Sequence, residues 1–324
     1  MSRFSDFGNS LYSGDKSIDF IGRRKIWYAV SAVLVILSIV LPTMRGGFNF
    51  GIDFRGGSEF RISGLSANAD QHLAVTAVHS VVPNIEPQVS TVGTDALRVQ
   101  TDQLTDLKSE AVRVALAKAY SLPSASVTSS FIGANWGADI TGKAVNGLLV
   151  FLLLAAITMA LYFRTIKMSA ASLAALAHDL IITAGIYGAF GFEVTPAAVI
   201  GFLTILGYSL YDTVVVFDKI RENTLEVEHS ETATFRERVN LAVNQTLVRS
   251  INTSVVAVLP VASILFIGAV LLGAGTLRDI ALALFIGIIV GTYSTLFIAA
   301  PFYSQLREGE PKYAAAAKKV LASR

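Results

Sequence analysis

An aspartate stands inside a long apolar stretch of the second half of the chain, where a charge is costly. Asp212 belongs to the run from Gly201 to Asn223, GFLTILGYSLYDTVVVFDKIREN, and apolar residues continue beyond it as far as Phe217. An ionisable side chain at membrane depth costs about 2.5–3.5 kcal/mol on insertion scales, so it is expected to face a cavity, a partner charge or a proton path. Asp212 is therefore the first candidate for chemistry, and that chemistry would be the binding and release of a proton.

Arg249 stands near the start of the next apolar stretch, where it could meet Asp212 across two helices. An acid that alternates between a dry site and contact with a positive charge takes up and releases a proton, because a dry site favours its neutral form. Two other interpretations remain open. The two residues could form a permanent ion pair between the helices, or Arg249 could only anchor its helix at the membrane surface.

Asp179 and His178 are adjacent in the third apolar stretch, at a depth similar to that of Asp212. Neighbouring helical residues point about 100° apart, so these two side chains are not expected to face one partner. We interpret Asp179 as a helper that tunes the surroundings of Asp212, and His178 as a satisfied residue of a helix interface. Thr213 is interpreted as a contact to water near the aspartate. No carboxylate or histidine lies four positions from either residue of the pair, so a metal site is not indicated.

The composition indicates a membrane protein. Of the 324 residues, 53% are hydrophobic and 15% are charged, whereas soluble domains have about 25% charged residues. The net charge of +2 argues weakly against nucleic acid as a partner. The sequence has no cysteine, which excludes a disulfide, a thiol nucleophile and a thiolate metal site. It shows no recognisable serine, histidine and aspartate nucleophile pattern, so we expect no enzyme activity and no cofactor.

Six apolar segments are long enough to cross a membrane as helices. Around them the chain divides into a loose cytosolic tail (1–25), a first span (26–44), an external domain (45–140), spans two to six (141–305) and a basic cytosolic tail (306–324). The first span is expected to be retained, because a signal peptide has a shorter apolar region and a nearby cleavage site. The spans are predicted at Ile26–Met44, Val145–Phe163, Ser169–Phe190, Pro196–Phe217, Ile251–Leu272 and Ile280–Tyr303.

The distribution of positive charge predicts the orientation of the chain. Most of the 26 Lys and Arg residues lie in the tails and in the loops after spans two and four, whereas the short loops on the other side contain only Arg278. The positive-inside rule then makes both termini cytosolic. Residues 219–248 are predicted to form one amphipathic helix along the inner membrane surface, and the basic tail to form a short helix or frayed end attracted to anionic lipid.

Residues 45–140 show the pattern of a small ferredoxin-like α+β domain. Strand and helix patterns follow one another in the order βαββαβ, and a Gly93-Thr94-Asp95 turn joins the two middle strands. The six elements are predicted at Ser58–Ile62, Ala69–Val82, Pro87–Val92, Ala96–Thr101, Leu104–Tyr120 and Ala125–Phe131.

The glycine-rich stretch GIDFRGGSEF, which begins at Gly51, follows the first span. It lacks the GxxxxGK[ST] pattern of a phosphate-binding loop. We interpret Gly56 and Gly57 as a tight turn that joins the membrane exit to the first strand, with Asp53 and Arg55 as local ties. A part for Asp53 in a proton exit is the alternative.

Small and polar residues of the last two spans are typical of helix packing in membranes. Gly287 and Gly291 form a small-residue surface on span six, which would pack against a helix of this chain or of a partner. Hydrogen bonds between packed helices are expected from the polar residues at the start of span five, which are Asn244, Gln245, Asn252, Thr253 and Ser254.

Four stretches together resemble the SecF family. They are GIDFRGGSEF at 51–60, HDLIITAGIYGAF at 178–190, GYSLYDTVVVFDKIREN at 207–223 and NQTLVRSINTS at 244–254. The plan of six spans with one external domain agrees, and the resemblance covers about residues 20–305. It implies a multi-pass α-helical membrane fold that is half of a resistance-nodulation-division transporter.

The resemblance also implies a function and partners. SecF proteins are subunits of the Sec protein-export machinery in the bacterial cytoplasmic membrane, where the proton-motive force drives late, ATP-independent stages of preprotein translocation. The implied partners are a separate SecD, the SecYEG translocon, the unfolded preprotein, membrane lipid and a YidC-type insertase. The coupling ion would be H⁺, with Na⁺ as the alternative.

The functional residues of the family map onto two positions of this chain. Its essential membrane aspartate corresponds to Asp212, and its essential arginine at the start of span five corresponds to Arg249. Tyr211 is a departure, because the family usually has asparagine before the aspartate, and this changes the polar surroundings expected there.

Two other functions are kept beside this one. A half-transporter for lipids or hydrophobic small molecules would need a large apolar cavity in the external part. A non-transporting scaffold of the translocon predicts that Asp212→Asn has no effect.

Overall fold

Six long apolar helices dominate the structure, a computed structural model that describes residues 3–66, 69–225, 227, 232–268 and 275–323. Each is long and apolar enough to cross a membrane, and the six agree with the predicted spans. The predicted end of span five, at Leu272, lies outside the described residues. Spans one to six are the helical stretches Arg24–Met44, Trp136–Phe163, Ile166–Phe190, Pro196–Thr224, Phe235–Gly268 and Thr276–Glu308.

Spans three, four and six form the packed centre of the membrane part. Half of the apolar window of span three is buried within the chain, whereas 0% of that of span five is buried. Spans one, two and five therefore present apolar faces to lipid or to another protein.

The small-residue surface of span six packs within the chain, which settles the question that the sequence left open. A Cβ atom added to Gly287 would lie 2.5 Å from the side chain of Ile205, and one added to Gly291 would lie 3.1 Å from that of Ser209. Both contacts belong to span four, so these glycines let two helices of the centre approach closely.

The predicted ferredoxin-like domain is confirmed. Its antiparallel sheet has the strand order 88–92, 96–101, 57–63, 127–132, as expected when the first strand of the domain lies between the third and the fourth. Helices Gln71–Val81 and Asp106–Ala119 cover one face of the sheet. The strands of the described residues are β1 (Asn49–Phe50), β2 (Gly57–Ser63), β3 (Gln88–Val92), β4 (Ala96–Thr101), β5 (Val127–Ile132) and β6 (Glu193–Val194).

A two-stranded parallel pairing of β1 with β6 ties the start of this domain to the loop between spans three and four. The sequence did not predict this pairing. A helical turn, Ile52–Arg55, and Gly56 lead from β1 into β2. Gly57 has a φ of 151°, and a Cβ atom there would lie 2.4 Å from the carbonyl oxygen of Thr101, so a larger residue does not fit.

The amino-terminal segment is not loose, and that prediction is wrong. Residues Arg3–Ser13 form a helix, and Leu11, Phe20 and Ile21 are buried in a hydrophobic core with residues of spans two to six. Asn244 accepts a hydrogen bond from the backbone of Ile18 and donates one back. The polar start of span five therefore holds the backbone of the amino-terminal segment, a partner that periodicity does not reveal.

Residues 219–248 do not form one helix, which corrects a second prediction. Span four continues to Thr224, and a new helix begins at Phe235. Thr234 and Glu237 form a capping box at that start, in which each side chain accepts from the other residue's backbone N–H. The basic carboxyl-terminal segment is helical over Pro311–Ala322 and buries Tyr313.

Candidate functional site

Asp212 is buried in the centre of the membrane part, with 4% of its surface exposed. Its Oδ1 accepts a hydrogen bond of 2.8 Å from the Ser250 hydroxyl of span five. Its Oδ2 is buried and has no hydrogen-bond partner among the residues that the structure describes. The carboxylate is thus held at one oxygen and left open at the other.

The helix of span four sets this arrangement. It begins at Pro196, and the preceding Thr195 caps it by accepting from the backbone N–H of Ala198. Ser209 and Asp212 are three residues apart, so they share the helix face that is turned to the other spans. Tyr211, one residue away, points outward with 56% of its surface exposed, so it does not contribute to the surroundings of the carboxylate.

Asp179 is fully buried on span three and is joined to the Asp212 helix. Its Oδ2 accepts a hydrogen bond of 2.6 Å from Ser209. Its Oδ1 lies 3.3 Å from Nδ1 of His178. His178 lies at a helix interface, as interpreted, against Tyr293 of span six, but it is not satisfied, because its Nε2 is buried without a partner among the described residues.

Thr213 connects spans four and six. Its hydroxyl donates a hydrogen bond of 2.9 Å to the carbonyl oxygen of Ser209 and lies 3.1 Å from the hydroxyl of Thr295. Span six has a π-helical turn at Thr295–Ala299, beside this contact. Such turns often occur at functional sites, because the extra residue redirects side chains.

A second group of hydroxyls lies one turn away from Asp212. Ser254 receives a hydrogen bond of 3.1 Å from Tyr208, and its hydroxyl is 2.5 Å from that of Thr292. It donates to the carbonyl oxygen of Ser250, the residue that binds Asp212. Neutral hydroxyl groups therefore link spans four, five and six around the two carboxylates.

Sequence reasoning missed most of these hydroxyl residues. Ser250 and Ser254 are four positions apart, a spacing that places them on one face of span five, and Ser209 is one turn before Asp212. That spacing was the available signal, but it does not tell which helix the face meets. The missed residues are Ser209, Ser250, Thr292 and Thr295.

Arg249 is exposed and forms no ion pair with Asp212 among the described residues. It follows that the permanent ion pair considered from the sequence is not formed in this structure. The neighbouring residue, Ser250, occupies the position next to the carboxylate instead.

The glycine-rich stretch lies far from this cluster, at the joint between the external domain and the membrane part. There Arg98 of β4 forms a short ion pair with Glu193 of β6, and Gln100 donates 3.0 Å to the same carboxylate. Gln100 also donates 3.1 Å to Glu59. Arg55, expected to be a local tie, is exposed and is in none of the ion pairs of the described residues, so these side chains make the tie instead.

Asp53 is half-buried at this joint. Burial raises its pKa above the ordinary value, and the negative charges of Glu59 and Glu193 raise it further. The positive charge of Arg98 acts in the opposite direction. Gly51 is buried beside the joint, since a Cβ atom there would lie 2.8 Å from the carboxylate of Glu193.

Comparison with known proteins agrees with this architecture. The profile described as "Protein export membrane protein SecD/SecF, C-terminal" matches residues 112–309, and that of the "SecD/SecF GG Motif" matches residues 46–63. The second match contains all three glycines of the stretch at the joint.

Full-length relatives and a solved structure extend the match. A protein translocase subunit SecF of Streptomyces coelicolor is 42% identical, and the alignment covers 100% of this chain and 86% of that protein. The SecF of Mycobacterium tuberculosis is 43% identical, over 93% of this chain and 70% of that one.

The crystal structure of SecDF from Thermus thermophilus, a translocon-associated membrane protein, superposes with a TM-score of 0.74 at 30% identity. It covers 91% of this chain, which corresponds to 39% of the SecDF chain. Since the family profile spans more than half of the sequence and a SecF that is 42% identical aligns over 86% of its own length, the chain belongs to the SecF family of protein translocase subunits.

Proposed function

We propose that this chain is a proton-driven subunit of protein export in the bacterial cytoplasmic membrane, and that Asp212 is the proton carrier. The observation that carries the proposal is the state of the Asp212 carboxylate, which is buried, held by one neutral hydroxyl and free of any ion pair among the described residues. Such a group changes charge more readily than one locked to a cation.

Proton uptake would change the contact between spans four and five. The Ser250 hydroxyl donates to Asp212, and a hydrogen bond to an ionised acceptor is roughly twice as strong as one to a neutral group. Protonation therefore weakens this contact and lets the spans shift. A charge that crosses 100 mV gains about 2.3 kcal/mol, enough to change a two-state equilibrium by roughly fifty-fold.

Arg249 would act in the other state of the cycle. It is next to Ser250 in sequence and lies on the same span, so a modest movement of span five would bring its guanidinium to the ionised carboxylate. An anchoring role tolerates lysine, whereas a bidentate partner of a carboxylate does not. Export that survives Arg249→Lys would assign Arg249 to anchoring.

The proposed partners follow from the family. This chain matches 39% of the SecDF chain of Thermus thermophilus, so we propose SecD as the completing partner. The complex would act beside SecYEG, with a YidC-type insertase and lipid as further contacts, and draw the unfolded preprotein outward through movement of the external domain. Both termini would be cytosolic.

A cavity argues against the lipid half-transporter. A cleft of about 570 Å³ lies between the external sheet and the outer ends of spans five and six. Charged side chains line much of it, which disfavours an apolar ligand. These side chains are Glu59, Arg61, Arg98, Arg278 and Asp279.

The deciding experiment measures proton flux and preprotein export in vesicles that contain the chain with its SecD partner. We expect Asp212→Asn to abolish both at normal protein levels. The matched control is Asp218→Asn, which changes an exposed acid on the same helix and should leave both intact. Normal export by the Asp212→Asn protein would refute the proposal and favour a scaffold, and replacing H⁺ by Na⁺ gradients identifies the coupling ion.

A further inference from the structure

Span three carries the buried imidazole of His178 beside the buried carboxylate of Asp179. This carboxylate is bound by Ser209, which lies one helical turn from Asp212 on span four. His178 has 8% of its surface exposed and Asp179 has none. Nδ1 of His178 lies 3.3 Å from Oδ1 of Asp179, while Ser209 donates to the other oxygen at 2.6 Å. Three groups that bind protons thus share one interior region, although the proposed function uses only Asp212.

The contacts of His178 leave one ring nitrogen open. A neutral ring bonds an ionised Asp179 through Nδ1–H, which places the lone pair on Nε2. That nitrogen is buried and has no partner among the described residues. The ring lies against the ring of Tyr293, with centroids 6.0 Å apart. A histidine that served packing alone would be expected to satisfy both nitrogens, since an unmade buried hydrogen bond is costly.

Among the described residues, few charged groups lie near this imidazole. Asp179 lies on its own helix, and Tyr293 faces it from span six. Asp212 lies one turn from Ser209 on span four, and Arg249 is an exposed cation on span five. Span one contributes the Ser31 hydroxyl and the Trp27 carbonyl to Tyr293, at 3.2 and 3.3 Å, and neither carries a charge.

We propose that His178 and Asp179 form a second proton-binding unit whose charge is coupled to that of Asp212. Two ionised carboxylates in one apolar region repel each other, so a proton on His178 stabilises the state in which both are ionised. When Asp212 takes up a proton, His178 releases one from Nε2 to water, and the net charge of the buried region stays constant. When Asp212 is ionised again, His178 regains its proton. The inference rests on the proposed function, because it needs Asp212 to change charge.

The test follows the protonation of His178 directly. The chain has four histidines, so nitrogen-15 NMR of the histidine-labelled protein with SecD in lipid can assign His178 by its loss in His178→Gln. We expect the protonated ring of His178 to be detected in the wild type. At the same pH its population should fall in Asp212→Asn and fall further in Asp179→Asn, because each change removes a nearby negative charge that stabilises the protonated ring. Asp218→Asn is the control and should leave this population unchanged.

Two results would overturn the inference. One is a His178 ring that is neutral in the wild type, and the other is the same population of the protonated ring in the wild type and in Asp212→Asn. Proton flux in the same vesicles separates this failure from that of the proposed function. If the population of the protonated ring is unchanged in Asp212→Asn while proton flux is lost, only the coupling is refuted. If flux persists in Asp212→Asn, both proposals are refuted. A displaced pH profile of flux in His178→Gln, at normal protein levels, would support the coupling independently.

Discussion

Two polar regions of this protein are built on opposite principles. The joint at the external domain uses ion pairs, with Arg98 bound to Glu193 in a partly solvated setting. The membrane cluster around Asp212 uses hydroxyl groups, and its main acid has no cationic partner among the described residues. Ion pairs fix a charge, whereas hydroxyls satisfy an acid in either protonation state because they donate and accept. The difference suits a fixed joint outside and an adjustable charge inside.

The largest effect is expected from separating the helices that carry the membrane cluster. Gly287→Leu would drive a side chain into Ile205, where an added Cβ atom already lies at 2.5 Å. Overpacking of this kind costs about 1–3 kcal/mol and displaces spans four and six. Thermal unfolding of the purified protein should show a clear loss of stability.

Gly207→Leu is the matched control for that change, because a Cβ atom at Gly207 meets nothing within 4 Å. Equal stability of the two variants would show that the close approach of spans four and six is unimportant. The close approach of these two spans would then not explain why the hydroxyl groups around Asp212 lie together.

Removal of one hydroxyl tests whether Asp212 depends on it. Ser250→Ala deletes the donor to Oδ1, and a hydrogen bond to a charged group contributes about 1.5–3 kcal/mol. We expect proton flux in vesicles to fall by about tenfold or more. Ser172→Ala removes an equally buried hydroxyl that bonds within span three, so its flux should stay normal. Similar losses in both variants would point to general disruption of packing.

A change at the joint should act on stability and leave the membrane cluster alone. Arg98→Met removes the cation from a partly buried Glu193, which we expect to cost about 1–2 kcal/mol in local stability. Hydrogen exchange of the amides in β4 and β6 measures this loss. Adding Glu193→Gln should recover part of it, since the unpaired charge is then absent. If the double variant loses as much stability as the two single variants together, Arg98 and Glu193 do not stabilise the joint through their ion pair.

The smallest effect is expected at Asp53. Because its pKa is raised in the folded protein, the folded state holds the proton more tightly than the unfolded one. Stability contributed by this group is therefore present at low pH and is lost as the pH rises through the folded pKa. Asp53→Asn should stabilise the external domain slightly at pH 7, by less than about 1 kcal/mol, as measured by hydrogen exchange of β2. A destabilised variant would show that the ionised Asp53 makes a favourable contact.

Most of the architecture could be read from local patterns. The six spans follow from apolar runs of sufficient length, and all six elements of the external domain lie within a few residues of their predicted positions. These features depend on periodicity within one segment. Two predictions failed for a reason outside any segment: the amino-terminal tail is held against span five, and residues 219–248 are divided between two helix ends.

By itself, the sequence determined that Asp212 would lie at membrane depth in span four and Asp179 in span three. It also determined that both carboxylates would need polar neighbours. An ionisable residue inside an apolar run is costly at membrane depth, so its type and its depth can be predicted from the sequence. Only the tertiary structure decided which residues bind these carboxylates. Ser250, and not Arg249, binds Asp212, and Ser209 binds Asp179. Helix rotation and close approach at Gly291 select these partners, and both arise from the packing of whole spans against one another.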